Sequence, residues 1–260
     1  MTIPLINPDA MNAGAALNGL DIALLCWICL GWPIYSFYAV RAYPVERLRE
    51  MPNARMNAYT FSMIQLWTIC LAILAIWSWA DRDFKELGFQ HALNGVTGIV
   101  WGLVVIGIAL TFRQYHRVKT HPPTRDKLAR ELDAIGDYTK FLMPESQAEY
   151  GRAMMVAVTA GITEEIIFRG YLIWALSLWI HPWAAGLASV TLFVILHLYQ
   201  NKTGLIQVAL FAAITTGLFL ACGSLYPVIA LHIMVDVINL SLGRHAVSYT
   251  HLTLPTTSRV

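Results

Sequence analysis

Charge is what this chain of 260 residues has least of. Only 13% of its residues are charged against 57% hydrophobic ones, and the mean hydropathy is +0.54. A soluble domain carries about 25% charged residues, so an ordinary water-facing globule is excluded. Cysteine is scarce as well. The four cysteines all fall inside long apolar runs, which rules out a disulfide framework. Cys26 and Cys29 spell C-x-x-C, but among Leu and Trp in a lipid-suited run they read as packing residues, not as a redox or metal pair. No Gly-rich phosphate loop, nucleic-acid motif or internal repeat occurs, so no nucleic-acid partner is expected. H-E-x-x-H is missing too, so the usual helix with two metal-binding histidines is not present.

What the chain does have is long apolar runs. Stretches without Asp, Glu, Lys, Arg or His cover 22–40, 56–80, 92–112 and 203–231. A spanning helix needs about 20 apolar residues, so three of these fit one crossing each. The fourth is too long for one and is broken by Gly223 and Pro227. With the segments that carry paired glutamates and two histidines, the pattern predicts an all-α, polytopic transmembrane bundle of about seven spans: 18–40, 58–80, 92–112, 152–176, 183–200, 204–222 and 226–243. The first run begins too far in and lacks a basic leader, so it reads as a retained anchor. Residues 1–112 form N-terminal anchoring helices, 113–150 a cytoplasmic loop with an amphipathic helix, 151–246 the core that carries the paired glutamates and two histidines, and 247–260 a Thr- and Ser-rich tail of doubtful origin.

The charges that remain are unevenly placed. If the crossings alternate, 15 of the 18 basic residues lie on one face, Arg41, Arg55, Arg113, Lys140 and Arg244 among them, with Arg82 and Lys85 opposite. The positive-inside rule makes the basic face cytoplasmic and the N-terminus external, as in a bacterial inner membrane. Within the cytoplasmic loop, Leu128, Leu132, Ile135 and Leu142 recur at a spacing that predicts an amphipathic helix lying on the lipid bilayer.

Glu164 and Glu165 stand side by side in VAVTAGITEEIIFRGYLIWAL, a run otherwise fit to cross a membrane. A carboxylate there costs on the order of 3 kcal/mol by insertion scales, so two adjacent ones require a compensating role. They point about 100° apart on a helix. Arg169, four residues after Glu165, is placed to pair with it, which leaves Glu164 facing a cavity. A carboxylate without a counter-ion in apolar surroundings holds a proton more readily than in water, which suits a general base. Phe193 and His197 are four apart on the fifth helix; His232 and Asp236 are four apart on the seventh. An acid at i+4 from a histidine reaches one ring nitrogen and leaves the other for substrate, water or metal. At about 1.5 Å per residue, Glu164 and His232 fall roughly 18 Å from the cytoplasmic end, whereas His197 falls much nearer it. Either the fifth helix extends past residue 200 or starts later, or the site is a funnel open to the cytoplasm.

These residues carry a resemblance. EEIIFRGYL resembles the E-E-x-x-x-R signature of the CPBP family (CAAX protease and bacteriocin-processing, also called Abi). Phe193-x-x-x-His197 resembles its second motif, His232-x-x-x-Asp236 its third, and the likeness runs over roughly 140–243. It implies an intramembrane endopeptidase similar to the type II CAAX prenyl endopeptidase. Its substrate would be a membrane protein, a membrane peptide or a lipidated protein. The resemblance gives Glu164, helped by His197, the activation of water. His232 and Asp236 stabilise the oxyanion, and Glu165 and Arg169 organise the site. Asp236 stands where the eukaryotic enzyme has Asn, and an ionised Asp cannot donate to an oxyanion. Glu164, His197, His232 and Asp236 also suffice to hold a divalent metal such as zinc with water in its open position. A metal-free glutamate mechanism is equally compatible. Two other readings compete: a non-catalytic immunity or scaffolding protein on the same fold, and a proton-coupled carrier using the same acids and histidines as a relay.

Overall fold

A computed structural model describes residues 17–91, 95–124, 127 and 136–253, with side chains as far as Arg244. Among the described residues every regular element is helical. In chain order they are α1 (Gly19–Ala42), α2 (Val45–Glu50), α3 (Ala54–Trp79), α4 (Gly95–Thr120) and α5 (Asp137–Phe141). Then come α6 (147–177), α7 (Pro182–Leu196), α8 (Lys202–Cys222) and α9 (Leu225–Thr253). The protein is an integral membrane helical bundle. Five helices (α1, α3, α4, α8 and α9 to Arg244) are long and apolar enough to cross a membrane. The other two long helices stand where spans were expected but miss those criteria: α6 carries the charges of the site, and α7 has only 15 residues. Of the proposed surface helix, 127 and 137–141 are described as helix, and Leu128, Leu132 and Ile135 lie outside the described residues, as do 254–260 of the tail.

The sequence starts its helices with local acceptors. Ser146 accepts from the Glu149 N–H while Glu149 reaches back to the Ser146 N–H, a capping box that opens α6. Asn18 and Asp21 do the same for α1, and Asn201 caps α8. The long middle of α6 is wound as a π-helix over Glu165–Leu172, and all eight of its residues are buried. A helix covered on every side is the core of its bundle: α6 packs on α3, α7 and α9. Phe168 meets Trp32 of α1, with ring centroids 5.9 Å apart.

Two close approaches fix α6 in place. A Cβ on Gly161 would lie 2.8 Å from the Ile233 backbone N, so the missing side chain is what lets α9 reach α6 one turn from the glutamates. A Cβ on Gly170 would lie 2.8 Å from the Leu87 carbonyl oxygen. That contact belongs to the 81–91 connection, which folds inward at the end of the bundle opposite the basic loops. Leu87 is fully buried. Leu225 N donates to Gly88 O at 2.9 Å, Gln90 Nε2 to Gly223 O at 2.7 Å, and Ser224 Oγ to Gln90 O at 2.9 Å. The α8–α9 turn is thereby stoppered from below.

Candidate active site

The α6–α7 connection is four residues long, 178–181, which makes the two helices an antiparallel hairpin. Their register is set by Ser189 Oγ, which donates to Phe168 O at 2.8 Å, and by the Phe168 and Phe193 rings, 5.0 Å apart and edge-on. Glu164 stands one turn before Phe168, and His197 one turn after Phe193. Both therefore fall at one level, roughly 6 Å from that aromatic contact. The depth difficulty raised by the sequence is resolved in this way. The fifth helix neither extends past 200 nor starts late; it stops at Leu196 with His197 as its C-cap, which brings the imidazole level with the glutamates.

His197 Nδ1 is 2.7 Å from Phe193 O. A carbonyl oxygen only accepts, so Nδ1 carries the hydrogen and Nε2 presents a lone pair. On α9, His232 Nδ1 is 2.6 Å from Glu165 Oε1. Its Nε2 is 3.5 Å from Asp236 Oδ2 and 3.9 Å from Glu164 Oε2. The shortest partner of His232 is thus a glutamate of another helix. With carboxylate oxygens at both nitrogens, the ring is held as a donor on both sides, and the edge of Phe211 packs against it with centroids 4.9 Å apart.

Glu165 and Arg169 are buried, with Arg169 Nη1 donating to Glu165 Oε1 at 3.0 Å. Arg169 Nη2 donates to Thr215 Oγ1 at 2.7 Å and to Ala212 O at 3.3 Å, and the guanidinium lies 4.8 Å from the Phe193 ring centroid. Thr215 and Ala212 were not singled out in the sequence. The signal was the pair Thr215-Thr216 in the apolar run of α8, since a buried hydroxyl needs a partner. Glu164 differs from its neighbour: among the described residues it makes no hydrogen bond, and its side chain is 15% exposed. Asp236 is 35% exposed, and Asn239, one turn on, is exposed. Polar, accessible groups therefore continue from the site along α9 towards the basic end.

The structure brings Glu164, Glu165, Arg169, His232 and Asp236 into one cluster, and the α6–α7 hairpin sets His197 at the same level. A zinc site needs three or four donors converging at about 2.0–2.2 Å from one point. Among the described residues no three His, Cys, Asp or Glu side chains are arranged to hold a metal ion.

Acids, imidazoles and a guanidinium are thus gathered inside a membrane helical bundle. Residues 147–238 match the family model described as type II CAAX prenyl endopeptidase Rce1-like. Glu164, Glu165, Arg169, His197, His232 and Asp236 all lie in the matched stretch, which covers 92 of the 260 residues. No curated protein and no solved structure gave a match.

Proposed function

We propose that the chain is an intramembrane endopeptidase that hydrolyses a peptide bond of a membrane peptide, a membrane protein or a lipidated C-terminus. One observation carries this reading. Among the described residues Glu164 makes no hydrogen bond, and its ion-pair partner His232 Nε2 stands off at 3.9 Å, while its neighbours are held at bonding distance: Glu165 by Arg169, His232 by Glu165, and His197 by Phe193. A structural charge cluster would hold both carboxylates in hydrogen bonds; a general base has to leave an oxygen open to water.

The chemistry follows from the donors and acceptors. A water between Glu164 and the His197 Nε2 lone pair gives one proton to Glu164 as its oxygen attacks the carbonyl carbon. The carbonyl π electrons move to oxygen, and the oxyanion is met by His232 Nε2–H, which Asp236 holds in the resting state. Glu164 then passes the proton to the amide nitrogen, and the C–N bond breaks to leave a carboxylic acid and an amine. Glu165 fixes the His232 ring, and Arg169 balances the charge of Glu165. We assign the metal-free form, with chelation as its check. By the positive-inside bias the basic loops belong in the cytoplasm of a bacterial inner membrane, so substrate approaches from that side.

The test reconstitutes wild type and Glu164→Ala in vesicles with membrane-inserted and lipidated peptides, with and without a chelator. Cleavage by wild type alone is expected, unaffected by the chelator. Equal cleavage by both proteins would sink the assignment, and chelator loss reversed by zinc would replace its metal-free form. Substrate-dependent proton flux without cleavage marks a carrier, and neither activity marks a scaffold.

A further inference from the structure

Acceptors dominate the surroundings of Glu164. Glu165 and Asp236 are carboxylates, His197 has given its N–H to Phe193 O, and both Arg169 Nη atoms are engaged, by Glu165, Thr215 and the Ala212 carbonyl, while its Nε is buried without a partner. Of these donors, His232 Nε2 is the one that faces Glu164 and Asp236. A tetrahedral oxyanion is stabilised by hydrogen-bond donors fixed in advance, each worth about 10²–10³ in kcat. The cluster so far supplies one.

A second donor stands two residues beyond His197. Tyr199 lies in the α7–α8 connection. Its ring centroid is 5.8 Å from that of His197 and 5.5 Å from that of Tyr138 on α5, so rings from the site and from α5 both contact it. Among the described residues its hydroxyl makes one hydrogen bond, a long one, and as acceptor: Gln200 Nε2 donates to it at 3.5 Å. The phenolic proton is left free to donate. Burial, opposed by the hydrogen bond from Gln200 and reinforced by the Glu164 and Asp236 carboxylates, pushes the phenol up to about 12, which keeps the O–H protonated throughout the working range.

We propose that Tyr199 is a further catalytic residue of the peptidase site, its O–H donating to the oxygen of the scissile carbonyl alongside His232 Nε2–H. This rests on the peptidase reading and assigns that site its missing donor. No proton leaves Tyr199: the hydrogen bond shortens as charge collects on the oxygen and relaxes when the C–N bond breaks.

The experiment measures kcat and KM for one cleaved membrane peptide with wild type, Tyr199→Phe, Tyr199→Ala and Glu164→Gln, each checked by thermal unfolding. It also measures the affinity of a phosphinate analogue of that peptide. Tyr199→Phe keeps the ring contacts, so its midpoint and KM should stay near wild type while kcat falls about 10²-fold. Affinity for the tetrahedral analogue should fall by a similar factor, a change that a packing role would not produce. Tyr199→Ala should lose the ring contacts as well and raise KM. Wild-type kcat in Tyr199→Phe, with Glu164→Gln inactive, overturns this inference and leaves the peptidase standing. Failure of wild type to cleave, or full activity in Glu164→Gln, overturns both.

Discussion

Glu165 and His232, 67 residues apart in the chain, meet through Oε1 and Nδ1 at 2.6 Å, and the same oxygen accepts from Arg169 at 3.0 Å. One carboxylate oxygen therefore joins α6 to α9 and also balances the guanidinium. The neighbouring Glu164 makes no such bond, so two identical side chains in sequence should behave in opposite ways when neutralised.

Glu165→Gln leaves Arg169 buried without its counter-charge, and breaking one side of a buried pair costs about 3–5 kcal/mol. Its thermal midpoint in detergent should fall well below wild type. Glu164→Gln removes a carboxylate that makes no hydrogen bond and lies 3.9 Å from His232 Nε2, so its midpoint should stay near wild type while cleavage drops by 10²–10⁴-fold. Matching midpoints for the two variants would contradict the division of roles.

His197 offers a lone pair because its other nitrogen is tied to Phe193 O. His197→Ala should lower kcat by about 10²-fold or more, with little change in unfolding, since the histidine caps a helix and spans no helix pair. A stability loss as large as that of Glu165→Gln, with kcat intact, would make it a packing residue.

Gly161 separates α6 from the α9 backbone. Gly161→Ala introduces a methyl 2.8 Å from Ile233 N, and overpacking of this kind costs about 1–3 kcal/mol. Because His232 is adjacent to Ile233, the displacement should reduce kcat even at temperatures where the variant is fully folded. Kinetics and unfolding measured on one preparation separate the two effects.

Far from the site, Arg82 holds Asp21 through two hydrogen bonds, one of them Nη1 to Oδ1 at 2.9 Å, and Tyr171 OH donates to Asp21 O at 3.2 Å. The guanidinium lies 4.7 Å from the Trp174 ring centroid. Asp21→Asn and Arg82→Gln should each destabilise by about 3–5 kcal/mol, and the double variant by less than their sum. Additive losses in a double-mutant cycle would show that the two residues act independently.

The long helices were legible because apolar runs of spanning length leave few alternatives, and the helical offset of four placed Glu165 beside Arg169. Periodicity describes the faces of one helix, however, and not which helices meet. Nothing local in EEIIFRGYL announces that Glu165 bonds a histidine 67 positions away. The stop at Leu196 was hidden for another reason. The run FVILHLY continues apolar without Gly or Pro up to Asn201, so the helix looked four residues longer than it is. The π-helix over Glu165–Leu172 was invisible too, because its wider winding stems from packing on all sides and not from its own residues.

Leu87, Gly88 and Gln90 are tied to the α8–α9 turn by the bonds from Leu225, Gln90 and Ser224. The loop at the end of the bundle opposite the basic face is thus anchored to the start of α9, the helix that carries His232 and Asp236, and a change that loosens this loop acts on both residues from a distance.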